Sequence, residues 1–307
     1  MALRLINSVY KTDARPISQS DRDLVPPNKR VVDANVMLRS FRNVSEQDIY
    51  DLIQNRLKSH ACLILCQPPW CVTRLMFLLA VITNLVNTSL TTAHFPTEWK
   101  QAIVNPLLKK GAKDVTHKNL QPISNLQLVS KITERAVFDQ VYSHMTDNEL
   151  FPVLQSAYRK RHSTETALLS VVNDILSNMN KQHVSFLVLL DPSAAFDTVD
   201  PAILLRRLET SFDITDAALT CFSSYLSGRS QRVSVNGETS DSYPVPFGVP
   251  QSSCLGSLLF SCSRSSSCTC PTKTHSLTIA CFIFLSTQTT PLTKQRQYMP
   301  LNSVFAP

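Results

Sequence analysis

The amino-acid sequence predicts an α+β fold: a helix-rich N-terminal region, then a central stretch in which helix and strand patterns alternate. Three features predict it. Apolar residues recur with the helical period at 128–141 and again at 167–179. Val184–Leu190 is a short, almost unbroken apolar run, as in a strand buried on both faces. Asn236-Gly237 separates two further strand-like segments, a strong short-range hairpin signal.

The elements follow in order. Residues 1–38 are polar and proline-dotted and read as a poorly ordered lead-in. Residues 39–94 read as helical. Ser45, Glu46 and Asp48 ahead of Ile49, Leu52, Ile53 and Leu57 give a capped amphipathic helix. Periodicity fades over 58–74, where cysteine, proline and tryptophan gather, and returns at Leu75–Leu90. Lys100–Lys110 reads as a short strand reaching a basic end. A long helix follows Pro122-Ile123-Ser124, with Leu128, Val129, Ile132, Ala136, Val137 and Val141 on one face. After the polar loop Gln155–His162, Ser163 or Thr164 caps a helix. Its stripe is Ala167, Leu168, Val171, Val172, Ile175, Leu176 and Met179. Asp200-Pro201 opens another helix, with aspartate at the cap and proline in the first turn. A helix from Asp216 stops at Gly228. The loop FGVPQSS precedes a helical Leu255–Phe260, and the serine- and cysteine-rich 261–307 reads as an irregular, unrelated tail.

Composition bounds the function classes. At 307 residues, with 43% hydrophobic and 17% charged residues, the chain can bury a sizeable core and is not a disordered type. The net charge of +7 suits a nucleic-acid partner but is weak support over this length. Nine cysteines, without framework spacing, read as reduced thiols with no disulfide partner. Cys268-Thr269-Cys270 with His275 is a poor match to a zinc site. Met1–Ser20 holds no apolar signal core, and Leu75–Val86 is too short to span a bilayer. The expectation is a soluble intracellular protein, nuclear or cytoplasmic, with no membrane partner. All five glycines lie between 111 and 256, and no carboxylate follows Asp241. Both ends therefore differ from the middle, which bounds the domain at about 95–260.

The chemistry-bearing unit is LVLLDPSAAFDTVD, residues 187–200. A carboxylate at the end of a buried strand costs free energy unless a cation or hydrogen-bond donors compensate it. Asp191 is therefore a metal-ligand candidate, and equally an aspartate capping the next turn. Asp200 reads as a helix cap, Asp197 as structural or solvent-facing, and Phe196 as core. Arg159–Arg161 reads as a solvated basic run, and His162 as a surface loop histidine.

DPSAAFDTVD resembles motif A of the reverse transcriptases of non-LTR (LINE-type, jockey-like) retrotransposons. YPVPFGVPQSSCLGSLLF, residues 243–260, resembles their motif B. FPTEWKQAIVNPLLKK (95–110), NLQPISNLQLVSKITERAV (119–137) and QSAYRKRHSTETALL (155–169) resemble successive fingers motifs, in family order. A weaker likeness covers 39–57.

The resemblance implies polymerase fingers plus an incomplete palm, the palm being a ferredoxin-like antiparallel sheet with helices on one side. It implies an RNA-directed DNA polymerase working with RNA template, DNA primer, deoxynucleotides and magnesium (Mg2+). It makes Asp191 the catalytic carboxylate and metal ligand, with the Pro192 backbone carbonyl facing the same site. Phe196 becomes the ring excluding a 2′-hydroxyl, and Gln251 lies near nucleotide and template. Arg159 and Lys109 meet phosphates. Phosphoryl transfer needs bridging cations and positioned donors rather than a covalent nucleophile, which suits this set.

The departures are equally informative. Leu120-Gln121-Pro122 lacks the family's arginine, and Ser252 and Ser257 replace its glycine and proline. The family places a Tyr/Phe-Ala-Asp-Asp hairpin after motif B, but residues 261–307 contain neither Asp nor Glu. The sequence therefore predicts a degenerate, catalytically inactive copy, with Val184–Leu190 left as an open apolar edge. The alternatives are a non-catalytic nucleic-acid-binding remnant and a translated relic without function.

Overall fold

Ser45 and Asp48 start the first helix, α1 (Glu46–Lys58), by exchanging hydrogen bonds. The Ser45 N–H donates to Asp48 Oδ2 at 2.8 Å and the Asp48 N–H to Ser45 Oγ at 3.1 Å. These bonds from Ser45 hold the Asp48 carboxyl below its ordinary range. α2 (Leu79–Thr92) buries Ile82, Val86 and Leu90 beside Ile49 and Ile53 of α1. The Asn87 side chain locks the pair, accepting from the Val44 N–H at 2.8 Å and donating to its carbonyl at 3.0 Å. The computed structural model describes residues 36–58, 77–108, 120–152, 155–190, 196–235, 237–250, 253–264, 274–276 and 280–286.

Four more helices share that core: α3 (Leu128–Asp147), α5 (Pro201–Phe212), α6 (Asp216–Leu226) and α7 (Cys254–Arg264). Ile132, Val137 and Val141 of α3 meet Leu204 and Leu208 of α5, Phe222 of α6 and Leu258 of α7 in one apolar cluster. Burying each such side chain contributes about 1.5–3 kcal/mol relative to leaving it in water. Leu38 is held against the end of α5, its N–H donating to the Asp213 carbonyl at 2.9 Å; residues 1–35 of the expected lead-in lie outside the described residues.

The strands form two sheets. β1 (Gln101–Leu108) pairs antiparallel with β2 (Leu120–Asn125) and parallel with β4 (Ser230–Val235). β4 also pairs with β5 (Glu238–Thr239), the hairpin expected around Gly237, and with β6 (Tyr243–Pro244). The second sheet is antiparallel: β3 (Val184–Leu190), then β8 (Ala280–Ser286), then β7 (Thr274–Ser276). The α+β architecture is thus the expected one, with strands divided between two sheets.

Two expectations are corrected. Residues 261–307, read as an irregular tail, include the end of α7 and the β7–β8 hairpin. ACFIFLS, residues 280–286, is a strand-type apolar run whose flanking serines and threonines mask its period. It covers the β3 edge that the sequence left open, pairing Val184 with Ser286 through to Leu190 with Ala280. The second correction concerns α4 (Thr164–Asn180), capped by Ser163 as expected. It buries Ala167, Val171 and Asn178, while Leu168, Leu176 and Met179 of the predicted stripe are 57%, 52% and 60% exposed. The helix packs on β3, with the Asn178 side chain donating to Ser185 Oγ at 3.3 Å, and its larger apolar side chains Leu168, Leu176 and Met179 face outward. Among the described residues no helix is long and apolar enough to cross a membrane.

Candidate functional site

The residues after β3 and the loop before α7 come together backbone to backbone. The Gly248 N–H donates to the Val199 carbonyl at 2.7 Å and the Val249 N–H to the Phe196 carbonyl at 2.9 Å. Gly248 has φ +87°, and a Cβ there would lie 2.8 Å from the Asp197 Cα and 2.9 Å from the Phe196 oxygen. Only glycine serves both that conformation and that approach. Beside the contact lies a cleft lined by Asp197, Gly248, Val249, Pro250, Ser124 and Arg229.

Phe196 is half-buried, its ring stacked on Phe260 of α7 with centroids 4.9 Å apart and planes 27° apart. The ring is thus held by packing beside the Gly248 loop. Asp200 is a helix cap, as its sequence context indicated: Oδ1 accepts from the Ala202 and Ile203 N–H groups at 2.8 and 3.3 Å. Asp197 is half-buried on the cleft wall.

Arg159 belongs to a different surface. Its guanidinium lies over the Phe151 ring at 5.4 Å, and Nη1 donates to the Pro152 carbonyl at 3.5 Å. Lys160 sits over the Tyr142 ring at 4.8 Å, and its N–H donates to the Tyr142 hydroxyl oxygen at 2.7 Å. The basic run is therefore built onto aromatic rings at the end of α3, with Arg161 exposed beside it. His162 is exposed, its Nδ1 3.0 Å from the Lys160 carbonyl.

Asp191, Pro192, Lys109 and Gln251 lie outside the described residues. Their flanks are fixed: Leu190 pairs with Ala280, Leu108 with Leu120, and Pro250 and Ser253 bracket Gln251 and Ser252.

Sequence reasoning missed a buried polar hub. Glu134 of α3 is fully buried. Its Oε1 accepts from the Tyr225 hydroxyl at 3.0 Å, and its Oε2 from the Ser253 hydroxyl at 2.7 Å. Burial, and then the Glu134 charge, push the Tyr225 hydroxyl well above its ordinary pKa. Below the tyrosine, two cations cap the α6 carbonyls. Lys100 Nζ donates to Ser224 at 3.0 Å, and Arg229 Nη1 to Tyr225 at 3.1 Å with its guanidinium over the Tyr225 ring. Burial, then the neighbouring Arg229, lower the pKa of the Lys100 ammonium. The only sequence signal was Glu134 lying on the i, i+3, i+7 line with Val137 and Val141.

A two-magnesium site asks for several carboxylates on adjoining strands. Among the described residues no three His, Cys, Asp or Glu side chains converge for a metal. The Asp200 oxygen is used by its cap, and β8, beside the end of β3 that leads to Asp191, contains no carboxylate. The described residues do not fit the pair of ions.

Residues 107–283 match the family described as reverse transcriptase (RNA-dependent DNA polymerase), so the likeness runs past 260 into the segment read as unrelated. The chain is 30% identical over 183 residues to the RNA-directed DNA polymerase from mobile element jockey of Drosophila melanogaster, covering 60% of this chain and 20% of that one. It is 31% identical over 179 residues to the probable RNA-directed DNA polymerase from transposon X-element of the same fly, covering 58% and 20%. The chain thus matches about a fifth of the length of these relatives. A solved structure of apo telomerase from Candida tropicalis, truncated from its C-terminal domain, aligns with 62% of this chain and 44% of its own. Its identity is 13% and its TM-score 0.41.

Proposed function

This chain belongs to the reverse transcriptase (RNA-dependent DNA polymerase) family, and on that premise we propose that it holds an RNA template and DNA primer without extending the primer. One observation carries the second half. β8 begins at Ala280, paired with Leu190 at the end of β3 that runs into Asp191, and residues 242–307 contain no Asp or Glu. The hairpin beside the first carboxylate is formed, but it offers none of its own. One aspartate cannot hold two divalent cations about 4 Å apart against their mutual repulsion.

The holding half rests on what is intact. The Gly248 loop is fixed against Phe196 and Val199, which supports a role for Gln251 and Phe196 at the template and nucleotide. Arg159 is braced on Phe151 near the exposed Arg161, which supports phosphate contacts from the fingers, with Lys109 as a further contact. A guanidinium suits bidentate phosphate contact.

The test is to give the purified chain a labelled RNA template annealed to a DNA primer, with deoxynucleotides and magnesium. The expected result is binding that weakens steeply with salt, and no primer extension. Extension that Asp191→Ala abolishes would overturn the inactivity; absence of binding at low salt would overturn the holding role.

A further inference from the structure

The outward face of α4 is used neither by the core nor by the proposed function. Leu168, Leu169, Val172, Leu176 and Met179 lie on it, and Leu169 and Val172 are 69% and 43% exposed. At the helical period these five fall in one stripe about 100° wide, on a different side of the helix from the buried Ala167, Val171 and Asn178. Glu165, at the N-terminal end, is the only charged side chain of α4 in that stripe.

The stripe is nearly symmetric about Val172. Leu168 and Leu176 stand four residues to either side of it, and Glu165 and Met179 seven. Turned end for end, the face presents the same leucine–valine–leucine ridge. A two-fold axis requires this, because in an isologous contact one patch must complement itself. The single charge sets the direction. In a parallel pair the two Glu165 carboxylates would meet. In an antiparallel pair each lies over Met179 of the second copy, with the carboxylates about 21 Å apart along the helix.

Five exposed side chains of this size leave on the order of 500 Å² of apolar surface, so a pair would bury about 1,000 Å², the lower limit for a specific contact. The exposed Asn173 and Asn180 flank the stripe and supply a polar rim.

We propose that two copies of this chain pair antiparallel through the α4 stripe, about a two-fold axis at Val172, as a weak dimer with a dissociation constant on the order of 10 µM. The pairing needs no nucleic acid and is independent of the holding role above.

The full chain, free of nucleic acid, is followed by sedimentation velocity from about 1 to about 100 µM. The expected result is a concentration-dependent change from one copy to two that stops at two. Leu176→Glu, shown to be folded by circular dichroism, should weaken pairing by about tenfold or more, because the two-fold axis buries its charge twice. Leu85→Glu is the control: Leu85 is 46% exposed on α2, and pairing should be unchanged. Direction is read at Met179. Met179→Lys sets an ammonium beside Glu165 of the second copy and should stay within about threefold of wild type, whereas Met179→Glu sets two carboxylates together and should weaken pairing about tenfold. Adding Glu165→Lys to Met179→Glu should restore it. Equal losses for lysine and glutamate at 179, or growth past two copies, overturn the antiparallel pair. A wild-type chain that stays single over the whole range overturns it too, and leaves the stripe to a segment of a longer polypeptide, since this chain matches about a fifth of the length of its relatives.

Discussion

Gly248 stands so close to Asp197 that a methyl group on its Cα would lie 2.8 Å from the aspartate's own Cα, a backbone atom that no rotamer change can move. The contact joins the segment after β3 to the loop before α7, and it adds a φ of +87° that L side chains rarely adopt. Gly248→Ala is expected to destabilise the chain by roughly 2–4 kcal/mol, combining backbone strain with a clash. That lowers the melting temperature by roughly 2–4 °C per kcal/mol for a domain of this size. Gly237→Ala is the control. Its φ is +85° but nothing lies within 4 Å of the added methyl, so only about 1 kcal/mol is expected. Equal shifts for the two variants in a thermal melt would show that the approach to Asp197 is not what requires glycine.

Asp200 offers a cleaner test of role. Its Oδ1 accepts two N–H groups at the start of α5, and Pro201 occupies the first helical position. A cap needs an acceptor oxygen and not a charge, so Asp200→Asn should melt within a degree or two of wild type. Asp200→Ala should lose about 1 kcal/mol. If asparagine proved as damaging as alanine in chemical denaturation, the carboxylate charge would have a use beyond the cap.

Local signals in the sequence were read well. Ser45 with Asp48, Ser163 with the helix after it, Asp200-Pro201, and Asn236-Gly237 each announced an element that forms where its turn chemistry places it. Non-local relations were harder to read. Nothing in LQPISN marks Leu120–Asn125 as a strand, because Pro122 cannot donate to a ladder; its place opposite Pro106 on β1 is known only from the fold. ACFIFLS was hidden by its setting, and β3 supplies the partner that makes it a strand. Phe196 was legible in the site through its motif, but its stacking on Phe260 was not. Glu134 drew no assignment from the sequence, because sequence does not show that α6 and the loop before α7 wrap the polar side of α3.

The buried thiols give a pH dependence with a definite sign. Burial pushes both Cys221 and Cys262 up to about 12 from an ordinary thiol value near 9. The folded chain therefore keeps these protons at pH values where the unfolded chain releases them. Stability from this source is complete below about pH 9 and falls as the pH rises towards 12, by about 1.4 kcal/mol per thiol for each pH unit. Thermal melts from pH 8 to 10.5 should show that decline, and Cys221→Ala/Cys262→Ala should flatten it. In the folded protein at pH 8 an alkylating reagent should leave both thiols unmodified. Prompt labelling of either would mean that the core around α6 and α7 opens far more readily than its burial implies.

The basic run separates packing from phosphate contact within three residues. Arg159 lies over Phe151 and donates to the Pro152 carbonyl, whereas Arg161 is exposed. Arg159→Ala should therefore lower both the melting temperature, by losing a cation–π contact of about 0.5–1 kcal/mol, and the affinity for an RNA–DNA hybrid. Arg161→Ala should lower affinity and leave the melting temperature within error. Each phosphate contact removed should also flatten the logarithmic dependence of the binding constant on salt by about one unit of slope. Arg159→Lys distinguishes shape from charge. An ammonium keeps the charge but cannot offer a planar pair of donors, so its salt slope should stay near wild type while affinity falls. If salt slopes in all three variants match wild type, these arginines are braced for packing alone, and the nucleic-acid surface must be sought on another face of the chain.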